Sequence, residues 1–170
     1  MAILEVIQET IDTVGSAKVN LTGEDLSGAE LANFNLEKAN LSRVNLQNAI
    51  LKEINLSEAT LEWTDLSSAD LTDANLAKAK MFRASLEGAN LENCNLSEAY
   101  LGKVDLRHAN LKNADLSKAK LHYADLRDAK LEGVNMEGVD LRWSRYNHAT
   151  IWPSENFDPS YTGAILYERD

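Results

Sequence analysis

Apolar residues recur every five positions through most of the chain, as in the segment 66–76, LSSADLTDANL. Its leucines, Leu66, Leu71 and Leu76, lie five residues apart. An α-helix would distribute such leucines around its axis, because five residues at about 100° each advance roughly 500°. A straight strand would send every second leucine to the opposite face, because strand side chains alternate with period 2. The five-residue period therefore indicates a structural repeat.

The repeat is expected to run from Leu21 to Ile151 without an insertion, which gives 27 units of five residues. Alanine or valine usually stands two residues before the centre of a unit, and Asn or Asp one residue before it. Leucine occupies 23 of the 27 central positions, and the other four hold Met81, Met136, Tyr146 and Ile151. The centre and the residue two before it lie on the same side of a short extended segment, so both are expected to face inward.

To keep every unit facing inward, the chain must turn after each unit, and a coil of consecutive turns would stack on the next coil. Backbone N–H and C=O groups would pair from coil to coil, about 4.8 Å apart. The leucines would form ladders inside the stack, and the alanines would leave room for them. This inward set includes Glu24 and the single cysteine, Cys94, which we interpret as an inert core thiol.

Segments outside the repeat are expected to cover its two ends, because a stack buries its core only between neighbouring coils. Residues 2–14 predict a short amphipathic helix, and a partner-binding helix is the alternative interpretation. Its apolar side chains fall on one face: Ile3, Leu4, Ile7, Ile11 and Val14.

The C-terminal segment, residues 152–170, contains two prolines, which cannot donate to a backbone ladder. Four aromatic residues would provide the apolar bulk of an irregular lid: Trp152, Phe157, Tyr161 and Tyr167. Ala164 and Leu166 stay in phase with the five-residue count, so the segment could also form a degenerate last coil.

The pattern Ala-(Asn/Asp)-Leu-x-x over residues 19–151 resembles the pentapeptide-repeat family. The resemblance implies an all-β fold, a right-handed quadrilateral β-helix in which each coil has four five-residue sides. The chain would then comprise an N-terminal helical cap at 1–18, a β-helix of about seven coils at 19–151 and a C-terminal cap at 152–170. The tail is similar to that of cyanobacterial members rather than to a dimerisation helix, so a monomer is expected.

Composition limits the classes of function. A net charge of −10 argues against general affinity for nucleic acid or for an anionic membrane. No apolar run approaches the roughly 20 residues of a membrane span, and the N-terminus lacks the basic region of a signal peptide, so a cytoplasmic protein is expected. None of the three histidines belongs to a nucleophile or metal-binding motif, and we expect no enzyme activity, no metal and no cofactor.

Sorting the units at intervals of 20 residues separates four faces, and one of them is basic and aromatic. Its outward positions carry six basic residues against two acidic ones, a net charge of +4, whereas the other faces carry −3, −3 and −2. We call it the basic aromatic face. Its candidate partner-binding residues are Arg43, Trp63, Lys80, Phe82, Arg83, Tyr100, Lys103, Lys120, His122, Tyr123, Arg142 and Trp143.

Two interpretations of the basic aromatic face stay open, and they can coexist. Successive members of one of its columns would lie about 4.8 Å apart, so that cations and rings stack, each pair contributing about 0.5–1 kcal/mol. Exposed aromatic and arginine side chains are also what protein interfaces favour. The leading hypothesis is therefore a non-catalytic scaffold or protein–protein interaction module with an unknown protein partner.

The alternative hypothesis is mimicry of duplex DNA, through which some members of the family bind DNA gyrase. Duplex DNA carries one charge per ~1.7 Å, so a repeat region roughly 32 Å long would need on the order of 19 negative charges. The three acidic faces hold 17 acidic residues, but nine basic residues are interleaved with them. This mixed surface disfavours DNA mimicry.

Overall fold

Coils of 20 residues stack on one another through most of the chain in the computed structural model, which describes residues 3–167. Parallel β-bridges join residues that are 20 positions apart, from Asn20 with Asn40 to Asp125 with Arg145. Every fifth residue takes part in such a bridge, and a turn separates each bridge from the next. Each coil therefore contains four turns, and the predicted coil-to-coil pairing is confirmed.

The unit around Leu61 shows how neighbouring coils are joined. The amide of Leu61 donates to the carbonyl of Lys80 at 2.7 Å, and the amide of Lys80 donates to the carbonyl of Ala59 at 2.9 Å. The amide of Trp63 donates to the carbonyl of Phe82 at 3.1 Å. The same three bonds recur along the array and give the backbone polar groups partners.

The turns place a positive φ at their third residue. In the unit around Leu41, the amide of Val44 donates to the carbonyl of Leu41 at 3.2 Å, and Arg43 has φ of 61°. Such a type II turn favours glycine or asparagine at this position. Many residues at the equivalent position are neither, so coil stacking overrides the local preference of the turn.

The Asn and Asp residues before the centres stabilise these turns. The Oδ1 of Asp65 accepts a hydrogen bond from the amide of Ser67 at 3.0 Å, and the Oδ1 of Asn95 accepts one from the amide of Ser97 at 3.0 Å. A carboxylate or amide oxygen is well suited to bind its own backbone two residues on. This bond explains the preference for Asn and Asp that the sequence shows.

The inward direction of the leucine centres is confirmed, since Leu71 and most of the other centres are fully buried. The prediction is wrong for Glu24, which is exposed in the first coil. A buried carboxylate without a partner is unfavourable, and the first coil has a neighbouring coil on one side only. Near the other end, Met136 and Tyr146 are only partly buried.

The prediction that the array reaches Ile151 without an insertion is also wrong. Lys130 pairs with Ile151, 21 residues away, so one residue is inserted in the last coil. Thr150 consequently faces inward and is 7% exposed, whereas Ile151 faces outward and is 43% exposed. The side chain of Asn147 accommodates the insertion, because its Oδ1 accepts the amide of Asp128 at 3.0 Å, where the regular array uses a backbone carbonyl.

Replacing Asn147 by alanine should loosen this last coil. The variant removes the acceptor of the Asp128 amide, and the loss of such a part-buried hydrogen bond costs about 0.5–1.5 kcal/mol. We expect faster hydrogen exchange at the Asp128 amide and a lower urea midpoint than in a Ser154→Ala control, whose side chain is exposed. Equal exchange rates in both variants would show that the Asn147 side chain does not hold the insertion.

The N-terminal helix covers the first coil. Helix α1 spans Ile3–Val14, with Ile7 buried and Leu4 and Ile11 packed against the core. The helix places the five predicted apolar residues on one face, but its two ends extend past the core, since Ile3 is 41% and Val14 is 61% exposed. Residue 2, where the predicted helix began, lies outside the described residues, and a short 3₁₀ helix follows at Ser16–Lys18.

The C-terminal segment returns to the phase of the repeat. Strand β1, Arg145–Tyr146, pairs in parallel with strand β2, Ile165–Leu166, which confirms the expected phase of Leu166. A 3₁₀ helix at Pro159–Thr162 precedes β2.

The lid over the last coil is formed by only part of the predicted aromatic set. The rings of Trp152 and Phe157 stack with centroids 5.1 Å apart and pack against the core. Tyr161 is 89% exposed, so its predicted place in the lid is wrong. Tyr167 lies instead under the guanidinium of Arg127, 4.7 Å from the ring centroid to Cζ. The predicted cap also included residues 168–170, which lie outside the described residues.

Candidate functional site

Coil stacking brings the residues of the basic aromatic face together. β-Bridges join Thr60 with Lys80, Lys80 with Tyr100, and Tyr100 with Lys120, so these four positions form one column. The third turn residues of the same units form a second column, which runs beside the first and holds Trp63, Tyr123 and Trp143. Because both columns belong to the same units, they share one side of the stack.

Cations and rings stack along the second column, as the sequence predicts. The Cζ of Arg83 lies 4.5 Å from the ring centroid of Trp63, and the Nζ of Lys103 lies 5.7 Å from that of Tyr123. The rings of Tyr123 and Trp143 stack with centroids 6.3 Å apart and an angle of 15° between their planes. Cation–ring pairs at these distances are attractive even in contact with water.

Stacking leaves much of this aromatic surface in water. Trp63, Tyr100, Tyr123 and Trp143 are 49%, 46%, 53% and 55% exposed. Exposed single apolar residues are ordinary, but these four rings share one side of the stack, with Tyr123 beside Trp143 and with Arg83 and Lys103 between Trp63 and Tyr123. A stacking ladder and a binding surface can both be built from such a row.

Five of the six cations on this face form no salt bridge with the described residues: Arg43, Lys80, Arg83, Lys103 and Lys120. The sixth, Arg142, binds Asp140 at 2.7 Å, and its hydrogen bond lowers the pKa of the Asp140 carboxyl to about 2. The positive charge of the basic aromatic face is thus neutralised only at its C-terminal end.

The middle of the face lacks the turn-stabilising Asn and Asp residues, which remain at its ends as Asn20, Asn40 and Asp140. Units in four successive coils carry other residues at the position before the centre: Thr60, Lys80, Tyr100 and Lys120. In most other units the Asn or Asp side chain accepts the amide two residues on, as in Asp105 with Arg107 at 3.1 Å. Another face also departs from this rule, at Glu30, Ile50 and Lys130, but the replacements there are not a run of cations and rings.

Gly102 lies at the floor of a notch in the middle of the face. The notch has a volume of about 260 Å³, and the rings of Phe82 and His122 lie on its two sides, beside Tyr100. The other seven glycines have positive φ, whereas Gly102 does not, so its backbone does not require glycine. A Cβ at this position would lie 2.7 Å from Nε2 of His122 and 3.2 Å from Cδ2 of Phe82, so glycine provides space.

A cleft of about 460 Å³ lies on the other side of Tyr100 and gathers four lysines. It is lined by Glu58, Lys78, Lys80, Glu98, Tyr100, Lys118 and Lys120. Lys78 and Lys118 are not in the predicted site, because sorting by units assigned them to the neighbouring face. They belong to the same surface because the cleft lies at the corner where the two faces meet. The Nζ of Lys120 lies 4.4 Å from the ring centroid of Tyr100.

In another cleft of the described chain the arginines are already paired with carboxylates. A cleft of about 670 Å³ beside Tyr167 contains Arg107 and Arg127, but Arg107 already binds Asp105 at 2.7 Å and Arg127 binds Asp125 at 2.6 Å. No group of three or more His, Cys, Asp or Glu side chains within residues 3–167 is placed to hold a metal ion. None of the helices described in that range is long and apolar enough to cross a membrane.

Several solved structures of pentapeptide repeat proteins are similar to this chain. One from the cyanobacterium Cyanothece 51142 is 28% identical, with 88% of this chain and 99% of that chain covered and a TM-score of 0.46. Another, alr5209 from Nostoc Pcc 7120, is 24% identical, with 95% of each chain covered and a TM-score of 0.35. QnrB1, a plasmid-mediated fluoroquinolone resistance protein, is 16% identical, with 88% and 90% covered and a TM-score of 0.43.

A search of curated proteins finds no match. The family model for pentapeptide repeats matches eight copies, within residues 20–57, 54–97, 94–133 and 109–145. These matches span most of the chain, and their repeat unit is the five-residue unit whose coils are described above. The chain belongs to the pentapeptide-repeat family.

Proposed function

We propose that this chain is a non-catalytic protein-interaction module, a right-handed quadrilateral β-helix that presents its basic aromatic face to a protein partner. The observation that carries the proposal is that three successive coils of that face, at Lys80, Tyr100 and Lys120, hold a cation or a ring where most units hold a turn-stabilising Asn or Asp. The ammonium groups of Lys80 and Lys120 have no acceptor for the backbone amide that an Asn or Asp side chain would bind, and the Tyr100 hydroxyl accepts instead from Nζ of Lys120 at 3.5 Å. These units forgo the turn-stabilising bond and present exposed cations and a ring.

The chemistry of the face supports a protein as the partner. Half-exposed tryptophan and tyrosine rings, such as Trp63 and Tyr123, provide large rigid contact areas, and arginine and aromatic side chains dominate binding at interfaces. The cations without salt bridges add attraction to a partner that carries acidic residues. The same cations stack on the rings, so the ladder holds the side chains in place for binding.

Mimicry of duplex DNA has less support. A DNA-like surface needs carboxylates that are not neutralised at short range, whereas Arg107 binds both Asp105 and Glu87, and Lys52 binds Asp70 at 3.2 Å. The proposal includes a monomer, which rests on the character of the tail, and a cytoplasmic location without binding to nucleic acid or membranes, which rests on the charge and on the apolar pattern of the sequence.

The test is affinity capture from a cyanobacterial lysate with the parent chain and with a variant that carries Trp63→Ser, Arg83→Glu, Lys103→Glu and Tyr123→Ser. All four side chains are exposed, so we expect the variant to fold, which circular dichroism and a melting curve would check. A partner that the parent retains should be lost from the variant, because the variant removes rings and reverses charges on the same surface. Equal capture by both proteins would refute the proposed binding face.

A further inference from the structure

We propose that the centre of the basic aromatic face binds a short acidic segment of its protein partner, with one apolar side chain of that segment seated beside Gly102. The inference rests on the proposed function and specifies its partner. The apolar side chain would occupy the notch between Phe82 and His122. The carboxylates of the segment would reach the four lysines on the other side of Tyr100.

The notch has the size and lining of a site for one side chain. Its volume of about 260 Å³ is smaller than the pockets of roughly 300 Å³ or more that hold drug-sized ligands. The rings of Phe82 and His122 form two of its walls, Glu62 and Lys80 also line it, and the lack of a side chain at Gly102 keeps its floor low. An apolar anchor that fills such a notch is the usual centre of a protein interface.

The lysine cleft determines the charge of the segment. Lys78, Lys80, Lys118 and Lys120 form no salt bridge with the described residues, and they outnumber Glu58 and Glu98 in the same cleft. Ammonium groups on flexible side chains bind carboxylates without a fixed geometry. The cleft therefore favours several acidic residues over a single bidentate anion.

The spacing of the lysines suits an extended peptide. Lys80 and Lys120 lie two coils apart, which is about 10 Å at about 4.8 Å per coil, and an extended chain covers that distance in about three residues. Tyr100 stands between the notch and the cleft and contributes to the lining of both. An apolar residue flanked by acidic residues can thus reach both sites at once. The acidic remainder of the chain opposes a long nucleic acid backbone, whereas a short acidic segment contacts only the cleft, where four lysines outnumber two glutamates.

A synthetic peptide with the sequence Asp-Glu-Trp-Glu-Asp, labelled with fluorescein, is the probe, and binding is measured by fluorescence polarisation. One control peptide has serine in place of the tryptophan, and a second has amides in place of all the carboxylates. We expect the parent chain to bind the probe on the order of tenfold more tightly than the serine peptide, because only the probe fills the notch. Added salt should weaken binding of the probe, and the amide peptide should bind least.

Two variants separate the notch from the cleft. Gly102→Ala places a methyl group in the notch and displaces the His122 imidazole, whose far end can move, so the fold should be retained and the preference for tryptophan lost. Lys80→Gln with Lys120→Gln should weaken binding of both acidic peptides on the order of tenfold. The matched control, Lys112→Gln with Lys130→Gln, removes two exposed lysines from another face and should bind as the parent does.

The inference is overturned if the parent does not bind the probe at millimolar concentration, if the serine peptide binds equally well, or if the control pair loses as much affinity as the Lys80 and Lys120 pair. The captured partner distinguishes this failure from that of the proposed function. A partner lost by the four-residue variant but retained by the Gly102→Ala variant and by the Lys80 and Lys120 pair would leave the binding face in place and refute the acidic segment. A partner retained by the four-residue variant would refute both.

Discussion

The Leu71→Asp variant is expected to lose on the order of 5 kcal/mol of stability. Leu71 is fully buried in the middle of the leucine ladder, with further coils stacked on both sides of its own. The substitution removes the apolar contacts of a leucine, which contribute about 1.5–3 kcal/mol, and places an unpaired carboxylate in the same space. The loss is large because Leu71 is fully buried within the apolar core cluster.

The measurement is a urea denaturation curve followed by circular dichroism. Asn33→Asp is the matched control, because it introduces the same side chain at an exposed position whose φ of 65° aspartate tolerates. We expect the midpoint of the control to stay near that of the parent, while the Leu71→Asp variant unfolds at much lower urea or does not fold. A variant that unfolds at the parent's midpoint would show that the centres of the units do not face inward.

The sequence predicts the stacked coils well because their cause is periodic. Each inward leucine repeats the environment of its neighbours, so one segment such as 66–76 describes most of the array. The predictions are wrong where the surroundings of one residue differ from those of the equivalent residues in other coils. Glu24 has a neighbouring coil on one side only, and Ile151 is moved outward by an insertion that a single side chain, Asn147, accommodates. Ile151 is apolar and in phase with the five-residue count, so its position along the chain did not indicate the inserted residue.

The candidate site likewise has features that follow from the periodicity and features that do not. Its columns follow from the 20-residue interval, so the stacking of Arg83 on Trp63 and of Tyr123 on Trp143 could be predicted. The notch could not be predicted from the sequence, because the role of Gly102 depends on where the rings of two other coils lie. The lysine cleft could not be predicted either, since it joins residues of two faces at a corner. The missing Asn and Asp residues could have been recognised, had the turn-stabilising hydrogen bond been inferred from their column.

Cys94 is expected to be almost unreactive toward thiol reagents while the chain is folded. Its side chain is 1% exposed, its Sγ donates to the carbonyl of Leu71 at 2.8 Å, and burial raises the pKa of the thiol to about 12. Because the thiolate is the nucleophile, the reactive fraction at neutral pH falls roughly a thousandfold, and burial also excludes the reagent. Modification should therefore follow unfolding.

The contribution of Cys94 to the stability of the fold decreases at high pH. Since the pKa is raised in the folded chain, the neutral thiol is retained there, whereas the unfolded chain ionises above its ordinary value of 9.0. The contribution of Cys94 to stability is complete below that pH and is lost as the pH rises toward 12. We expect the urea midpoint of the parent to fall more steeply above pH 9 than that of Cys94→Ser. Serine suits this position, because Thr64 in an equivalent inward position donates its hydroxyl to the carbonyl of Leu41 at 2.7 Å.

The rate of modification by dithiobis(nitrobenzoate), measured with increasing urea, tests the reactivity. In the parent the rate should rise only as the fold opens. In a control with Cys94→Ser and Lys112→Cys, the exposed thiol should react at once at every urea concentration. Fast modification of the folded parent would mean that the coils around Cys94 open without global unfolding. The stack would then lack the rigidity that presenting a fixed binding face requires, so this experiment also bears on the proposed function.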